Sequence, residues 1–249
     1  MDHAAINACA ALVERGDPDR FLAAMAAPVA ARAALFPLYA FNLELARAPW
    51  VTREPLIARM RLQFWRDVVA LEEPKAHTVA APLQGLIRAG LPVAALNRMI
   101  DAREAEIGSA APFGDAGALW SYLDGTGGAL MVASVQALGG PESGAALDHG
   151  AAQALANYLL AVPALGAAGR RGLPEGSAAA ALARQGLERL RRARPELSTL
   201  PRAALLAGWR AEGILSRAAK DPRRIAAGSL AESEFSRRGR LLWRVVSGF

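Results

Sequence analysis

The chain has 249 residues, of which 53% are hydrophobic and 6% aromatic, and its formal net charge is +6. This length is enough to bury a sizeable core. The single cysteine, Cys9, excludes an intrachain disulfide framework and favours a reducing compartment. Because Cys9 lies in the apolar stretch "INACAALV", we expect a buried small hydrophobe rather than a nucleophile.

The sequence has no evident targeting or membrane-spanning segment. Asp2 and His3 stand where a signal peptide would carry basic residues. Proline, glycine or charge interrupts the apolar runs well short of the ~20 residues that cross a bilayer. We therefore expect a cytoplasmic protein, with a peripheral position at the inner membrane as the alternative.

The composition predicts an all-α protein, since Ala, Leu, Arg and Glu dominate and strand formers are sparse. There is no low-complexity linker, so we predict one domain over residues 1–249. Pro37 lies inside the third helix and is expected to kink or restart it. Prolines and glycines divide the chain into helices predicted near 4–14, 19–26, 29–48, 53–72, 78–89, 93–107, 115–138, 144–165, 177–193, 201–219 and 229–246.

Two of these helices have informative patterns. In "EPLIARMRLQFWRDVVALEEP", Leu56, Met60, Phe64 and Val68 recur at helical spacing and predict the buried stripe. The segment "AAQALANYLLAVPALGAAGRRGLP" is apolar on all sides, which predicts a central position in the bundle.

Charge is distributed unevenly. From Arg170 onward there are 17 Lys/Arg against 7 Asp/Glu, whereas the preceding residues have 12 against 16. Such a basic region indicates either an anionic partner or solvated helix faces. The terminal segment fits an interfacial helix or a helix packed on the bundle. It combines arginines with large apolar residues, namely Arg237, Arg238, Arg240, Arg244, Phe235, Leu241, Leu242 and Trp243.

The residues offer little for metal or phosphate chemistry. The histidines are far apart, and the adjacent Asp148 and His149 are expected at the surface. The glycines of "YLDGTGGAL" lack the lysine of a phosphate-binding loop, so a tight helix contact or a bend is the better interpretation.

Paired carboxylates four residues apart could hold Mg²⁺ against a diphosphate. Asp101, Glu104 and Glu106 come closest, but Arg103 lies among them and favours an exposed, ion-paired face. No DxxxD or DDxxD pattern occurs in the sequence.

Several motifs, in the same order, resemble the squalene/phytoene synthase family over residues 17 to 246. They are "LFPLYAFNLELA", "RLQFWRDVV", "GAAQALANYLL" and "RRGLP". The resemblance implies a single-domain isoprenoid-synthase-like helical bundle. Members of this family join two prenyl diphosphates head to head, using Mg²⁺ held between two aspartate-rich helices.

The metal-binding carboxylates that the resemblance implies are missing. Aligned without gaps on Tyr39 to Phe41 and on Gly150, Leu155 and Asn157, the positions of the two aspartate motifs are Ala46, Arg47, Trp50, Ala161, Ala164 and Leu165. Alanine, leucine and tryptophan supply no oxygen ligand for Mg²⁺. We therefore expect no catalytic residue, no metal and no cofactor.

The departures themselves are similar to a non-catalytic branch of this family. "AFNLELA", "MRLQFWRD" and "DAREAEI" resemble its members, whose eukaryotic representatives are mitochondrial assembly factors for respiratory complex I, the NADH:ubiquinone oxidoreductase. The resemblance implies a bacterial pseudoenzyme that assists complex I assembly. Candidate partners are a complex I subunit or assembly intermediate, an isoprenoid lipid or quinone precursor, and an anionic membrane surface. Nucleic acid is disfavoured, since no recognised module is present.

The alternative is an isoprenoid transferase of terpenoid or carotenoid biosynthesis with an altered site, for which Glu44, Asp67, Arg170 and Arg171 are candidates. Within the predicted pocket, the polar residues would either bind a ligand or satisfy one another, and the two large aromatic residues are more typical of core. The pocket comprises Phe41, Asn42, Glu44, Arg47, Gln63, Trp65, Asn157, Arg170 and Arg171.

Overall fold

The computed structural model describes residues 3–52, 54–71, 76–111, 113–170, 172–175 and 178–247. This part of the chain is helical and contains no strand, which confirms the predicted all-α class. The helices are α1 His3–Gly16, α2 Pro18–Ala26, α3 Val29–Arg47, α4 Pro55–Val69, α5 Ala80–Arg88, α6 Ala94–Glu104, α7 Ala116–Leu123, α8 Ala129–Ala137, α9 Gly144–Ala167, α10 Ala179–Leu197, α11 Arg202–Leu205, α12 Ala211–Lys220, α13 Arg223–Ala226 and α14 Glu234–Ser247.

Most predicted helices are present, with three departures. α3 runs through Pro37 without a break, so a restart there is wrong; Pro37 is buried, and packing on both sides of α3 outweighs the lost backbone hydrogen bond. The predicted helix 201–219 is divided by a 3₁₀ turn at Leu206–Gly208. The last predicted helix begins only at Glu234, and the short α13 was not predicted.

The buried stripe of α4 differs from the predicted one. Leu56 and Met60 are 68% and 63% exposed. The core side of the helix instead carries Ala58, Leu62 and Trp65, together with Val68, which was predicted correctly. Two apolar stripes run along this helix. The prediction chose the stripe with Leu56 and Met60, which is the wrong one, because residue size does not reveal which side packs against the bundle.

The predicted central helix is α9, and its first two thirds are buried. α9 packs against α8, α10 and α12, and its residues from Ala145 to Leu159 include most of its buried side chains. The last turns project from the bundle, where Ala161 and Ala164 are exposed. The C-terminal end of α9 is therefore part of the surface.

A close helix contact explains the glycines of "YLDGTGGAL", as predicted. Residues Asp124–Gly128 form a single π-helical turn between α7 and α8. A Cβ atom at Gly150 of α9 would lie 2.4 Å from the Gly127 carbonyl oxygen and 2.5 Å from Met131 Cβ. These two backbones meet at a distance that only glycine allows.

Ion pairs join the acidic and basic parts of the chain. Asp19 of α2 contacts Arg210 and, at 3.3 Å, Arg237 of α14. Asp148 of α9 contacts Arg192 of α10 at 2.7 Å. Much of the basic C-terminal charge is therefore neutralised within the molecule rather than left for a partner.

We predict that Gly150→Ala destabilises the fold. The added methyl group would overlap backbone atoms that cannot move aside, so the free energy of unfolding should fall by about 1–3 kcal/mol in urea denaturation followed by circular dichroism. The matched control is Gly166→Ala on the same helix, where a Cβ would meet nothing within 4 Å. This control should be neutral or stabilising by up to about 1 kcal/mol. Equal effects of the two substitutions would contradict the close contact.

Candidate functional site

The ends of the two helices that resemble the metal-binding helices of the family face a common cleft. Pro49 and Trp50 follow α3, Ile107 to Ala110 follow α6, and Ala168 to Arg170 follow α9; all of them line a cleft of about 340 Å³. The arrangement depends on α9 extending beyond the bundle. The cleft is the natural candidate for a functional site.

Arg170 bridges three segments at this cleft. Its guanidinium carbon lies 3.8 Å from the centroid of the Trp50 ring, a cation–π contact. Its Nη1 donates a hydrogen bond to the Glu106 carbonyl oxygen and its Nη2 donates to the Pro49 carbonyl oxygen, both at 3.4 Å. Arg170 forms no ion pair with a carboxylate of the described chain. The guanidinium therefore fastens the ends of α3, α6 and α9 to one another.

A buried polar cluster adjoins Arg170. Arg103 Nη1 donates to Glu106 Oε1 at 3.0 Å and to the Tyr122 hydroxyl at 2.5 Å, and that hydroxyl donates to Glu106 Oε1 at 2.6 Å. Burial raises the pKa of the Tyr122 phenol, and also that of Tyr158. Phe113 lies 4.8 Å from the Tyr122 ring between centroids. Oε1 of the Glu106 carboxylate thus accepts hydrogen bonds from both Arg103 and Tyr122.

The structure distributes the predicted pocket over several places. Phe41 and Trp65 are buried core residues in edge-to-face contact, with ring centroids 5.3 Å apart. Glu44 bonds Arg47 at 3.4 Å. Gln63 is exposed, because it lies on the solvent side of α4, and it donates to Asp67 at 2.7 Å. Glu44 therefore bonds another member of the predicted pocket, whereas Gln63 bonds Asp67, which lies outside it.

The remaining predicted residues also separate. Asn42 is buried and Asn157 half-buried, and Arg171 lies outside the described residues. Of the six motif positions, Trp50 lines the cleft, whereas the other five do not: Ala46, Arg47, Ala161, Ala164 and Leu165. Sequence reasoning missed Thr52 and Ser109 as lining residues, because isolated hydroxyls in loops carry no distinctive pattern.

Two predicted surface residues are buried instead. Asp101 and Glu104 do pair with Arg66 at the surface, as expected, but Glu106 is only 7% exposed. His149 is 4% exposed, with Nε2 3.3 Å from the Leu205 carbonyl oxygen. Burial lowers the His149 pKa to about 4, so this histidine is neutral in the folded protein at pH 7.

The side chains at the cleft do not fit a Mg²⁺–diphosphate centre. Among the residues that the structure describes, those lining the cleft include no carboxylate, and the Arg170 guanidinium would repel a divalent cation. Across the described ranges, no three His, Cys, Asp or Glu side chains lie close enough together to hold a metal ion.

Two solved structures share this architecture. One is a dehydrosqualene synthase in complex with a ligand, with a TM-score of 0.77, 15% identity and coverage of 98% of this chain and 96% of that chain. The other is the squalene synthase HpnC from Alicyclobacillus acidocaldarius, with a TM-score of 0.70, 15% identity and coverage of 88% and 95%. The fold is therefore the single-domain helical fold of isoprenoid synthases, as predicted.

The family model for squalene/phytoene synthase matches residues 13–228. The chain belongs to the squalene/phytoene synthase family, which confirms the resemblance drawn from its motifs.

The chain is also similar to proteins named as complex I assembly factors. "NADH dehydrogenase (ubiquinone) complex I, assembly factor 6" of Bos taurus is 31% identical over 173 residues, covering 67% of this chain and 52% of the relative. The Homo sapiens protein of the same name is 30% identical over 162 residues, covering 62% and 48%. The homolog in Drosophila melanogaster is 42% identical over 62 residues, covering 24% and 19%. The chain spans about half the length of the mammalian relatives.

We predict that Arg170→Ala destabilises the protein by about 1–2 kcal/mol, since it removes the stacking on Trp50 and two hydrogen bonds. Arg170→Lys should recover part of this loss, because a lysine keeps the charge but not the planar stacking. The measurement is urea unfolding followed by circular dichroism.

Arg59→Ala is the control for charge loss. Arg59 is exposed and forms no ion pair within the described chain, so its removal should change stability by less than about 0.5 kcal/mol. If Arg170→Ala were equally silent, Arg170 would not fasten the helix ends.

Proposed function

We propose that this chain is a non-catalytic, bacterial member of the squalene/phytoene synthase family that assists the assembly of respiratory complex I. The observation that carries the proposal is the Arg170–Trp50 contact. It occupies the cleft between the helix ends to which the family resemblance assigns metal-binding carboxylates. The names of the related assembly factors supply the process.

The chemistry of prenyl transfer supports the absence of catalysis. Ionising an allylic diphosphate requires neutralisation of the leaving group, which Mg²⁺ held by oxygen ligands can provide. The one cation at this cleft, within the described residues, is a guanidinium already bonded to two carbonyl oxygens and stacked on a ring. On this proposal the protein has no catalytic residue and needs no metal or cofactor.

The alternative of an isoprenoid transferase with an altered site is less well supported. Two of its candidate acids, Glu44 and Asp67, do not line the cleft of Arg170. Glu44 contacts Arg47, and Asp67 accepts a hydrogen bond from Gln63. A prenyl substrate at the cleft would therefore meet no acid from this pair.

An exposed apolar corner beside the cleft is suited to a protein partner. Five large apolar side chains at the α3–α4 turn and on the outer side of α4 are 41–68% exposed, namely Trp50, Val51, Leu56, Ile57 and Met60. Arg59 and Arg61 lie among them without an ion pair in the described chain. A segment of a complex I subunit or assembly intermediate that combines apolar and acidic side chains would be complementary to this corner.

Deletion of the gene tests the proposal. We expect the amount of assembled complex I on native gels, and its NADH:ubiquinone oxidoreductase activity, to fall severalfold, while carotenoid and hopanoid levels stay unchanged. Complementation with the wild-type gene should restore complex I, and the doubly substituted Leu56→Asp, Met60→Asp chain should not, provided that its circular dichroism spectrum is native.

A matched surface control is Arg223→Asp, whose side chain is 89% exposed and far from this corner in sequence; it should complement fully.

Purified protein with farnesyl or geranylgeranyl diphosphate and Mg²⁺ should release no diphosphate. Normal complex I with loss of carotenoid, or release of diphosphate, would reverse the assignment in favour of the transferase.

We also propose that the protein works as a peripheral protein at the inner face of the bacterial membrane, through α14. Three of the four arginines of this helix contact acidic residues outside it: Arg237 contacts Asp19 at 3.3 Å, Arg240 contacts Glu232 at 2.9 Å and Arg244 contacts Glu212 at 2.8 Å. Leu241 is buried on the same side. α14 is thus held to the bundle largely by its charged side.

The opposite side of α14 is apolar and open to solvent. Phe235, Leu242, Trp243 and Val246 are 66–90% exposed. Large apolar side chains on one side of a helix are the feature that places a helix in a lipid interface. No helix in the described part of the chain is long and apolar enough to cross a bilayer.

Vesicle flotation tests this proposal. Wild-type protein should float with vesicles of phosphatidylcholine and phosphatidylglycerol, and Leu242→Asp with Trp243→Ser should reduce the floated fraction severalfold. Because most arginines of α14 are already paired, removing phosphatidylglycerol should weaken the binding less than these substitutions do. Leu56→Asp is a control with closely similar exposure and should float normally. Unchanged flotation of the α14 variant would exclude α14 as the contact.

A further inference from the structure

A second concave region lies apart from the cleft of Arg170. It is a groove of about 810 Å³, formed by the end of α2, the start of α3, the residue after α8, the start of α11 and the end of α14. It shares no lining residue with the cleft. Its volume lies within the range of about 300–1,000 Å³ that is typical of small-molecule sites.

The groove is apolar except for two arginines. Its lining contains several alanines and prolines together with larger apolar residues such as Met25, Leu138 and Leu206. Arg32 and Arg202 are its polar side chains, and no acidic side chain of the described residues lines it. A groove with this composition favours a ligand that combines a long apolar part with a negative charge.

Neither arginine is paired with a carboxylate of the described residues. Arg32 Nη2 donates to the Met25 carbonyl oxygen at 2.7 Å and to the Ala27 carbonyl oxygen at 3.3 Å, and its Nε is buried with no hydrogen-bond partner. Arg202 Nη2 donates to carbonyl oxygens at the end of α14, including that of Arg244 at 2.6 Å. Over the described ranges neither forms an ion pair, which contrasts with the paired arginines of α10, α12 and α14.

Charge complementarity identifies the class of ligand. A guanidinium binds a planar carboxylate through two parallel hydrogen bonds. The hydrogen bonds that Arg32 and Arg202 form within the described chain use only Nη2 of each guanidinium. Glu14 lines an adjoining cleft that shares Met25 and Arg32, but it forms no ion pair with Arg32. An anionic ligand would supply acceptors for the remaining N–H groups of these two arginines.

We propose that this groove binds a long-chain fatty acid, with its carboxylate between Arg32 and Arg202 and its hydrocarbon chain along the alanines of α2 and α3 and the prolines Pro28 and Pro201. Small side chains on those walls leave the volume that the hydrocarbon chain fills. Val29, between the lining residues Pro28 and Ala30, is 73% exposed and adds apolar surface beside the groove. This site is independent of the proposed role in complex I assembly.

Titration of the purified full chain with cis-parinaric acid, whose fluorescence rises in an apolar site, tests the proposal. We expect saturable binding that oleate displaces and that oleyl alcohol displaces at least tenfold less well. Ala30→Trp, at an exposed groove position on α3, should abolish binding by filling the groove. The matched control Ala161→Trp, at an exposed position on α9, should bind normally.

The charge requirement is tested separately. Arg202→Gln should weaken the binding of cis-parinaric acid about tenfold, whereas Arg59→Gln should leave it unchanged. Because Arg202 is exposed, Arg202→Gln can still test the charge requirement if Arg32→Gln fails to fold. Absence of saturation, equal binding by Ala30→Trp, or equal displacement by oleate and oleyl alcohol would overturn the proposal. Displacement by an acidic amphipathic peptide but not by oleate would also overturn it, in favour of a protein ligand.

Discussion

The close approach of the π-helical turn Asp124–Gly128 to α9 is the contact on which the rest of the structure depends. α3 packs against α8, α8 continues from the π-helical turn, and that turn packs against α9. This region therefore fixes the positions of α3 and α9 relative to each other, and with them the cleft between their ends. Gly127 and Gly150 set its spacing, because a side chain on either would separate the two backbones.

The cleft contains the positively charged guanidinium of Arg170, whereas a metal centre would require negatively charged ligands. Arg170 is held by carbonyl oxygens and an indole ring rather than by a carboxylate. Such a contact joins helix ends without requiring an ion from solution. On the function proposed above, the fold acts as a scaffold whose outer surfaces contact partners. The exposed corner at α4 and the exposed side of α14 are surfaces of this kind.

The sequence predicted those features that depend on local chemistry. Proline and glycine mark where helices end, so the extents of α3, α6 and α9 were close to those observed, and the motifs led to the correct family. The tight contact of the glycines near Gly127 was also expected. These features follow from residues near one another in the chain, or from motifs that a family retains.

The predictions that failed concern partners distant in sequence. His149 is buried because the 3₁₀ turn containing Gly208 lies against its ring, and nothing near His149 in the chain indicates that turn. Glu106 turns inward because Tyr122, 16 residues further along the chain, and Arg103 donate hydrogen bonds to its carboxylate. In the same way, the buried side of α4 depends on which of its two apolar stripes meets the bundle. Local patterns limit the options in such cases, and tertiary packing selects among them.

The π-helical turn has one further consequence. A turn with i→i+5 hydrogen bonds contains one more residue than an α-helical turn, and each residue of a helix advances the side chains by about 100°. The extra residue therefore rotates α8 relative to α7 about their common axis. Leu119 and Leu123 of α7 lie in one cluster of buried side chains, whereas Leu130 and Val135 of α8 lie in the other. α7 and α8 thus form one nearly continuous helix, of which α7 packs in one hydrophobic core and α8 in the other. The buried side of the helix changes at the π-helical turn, which contains three glycines.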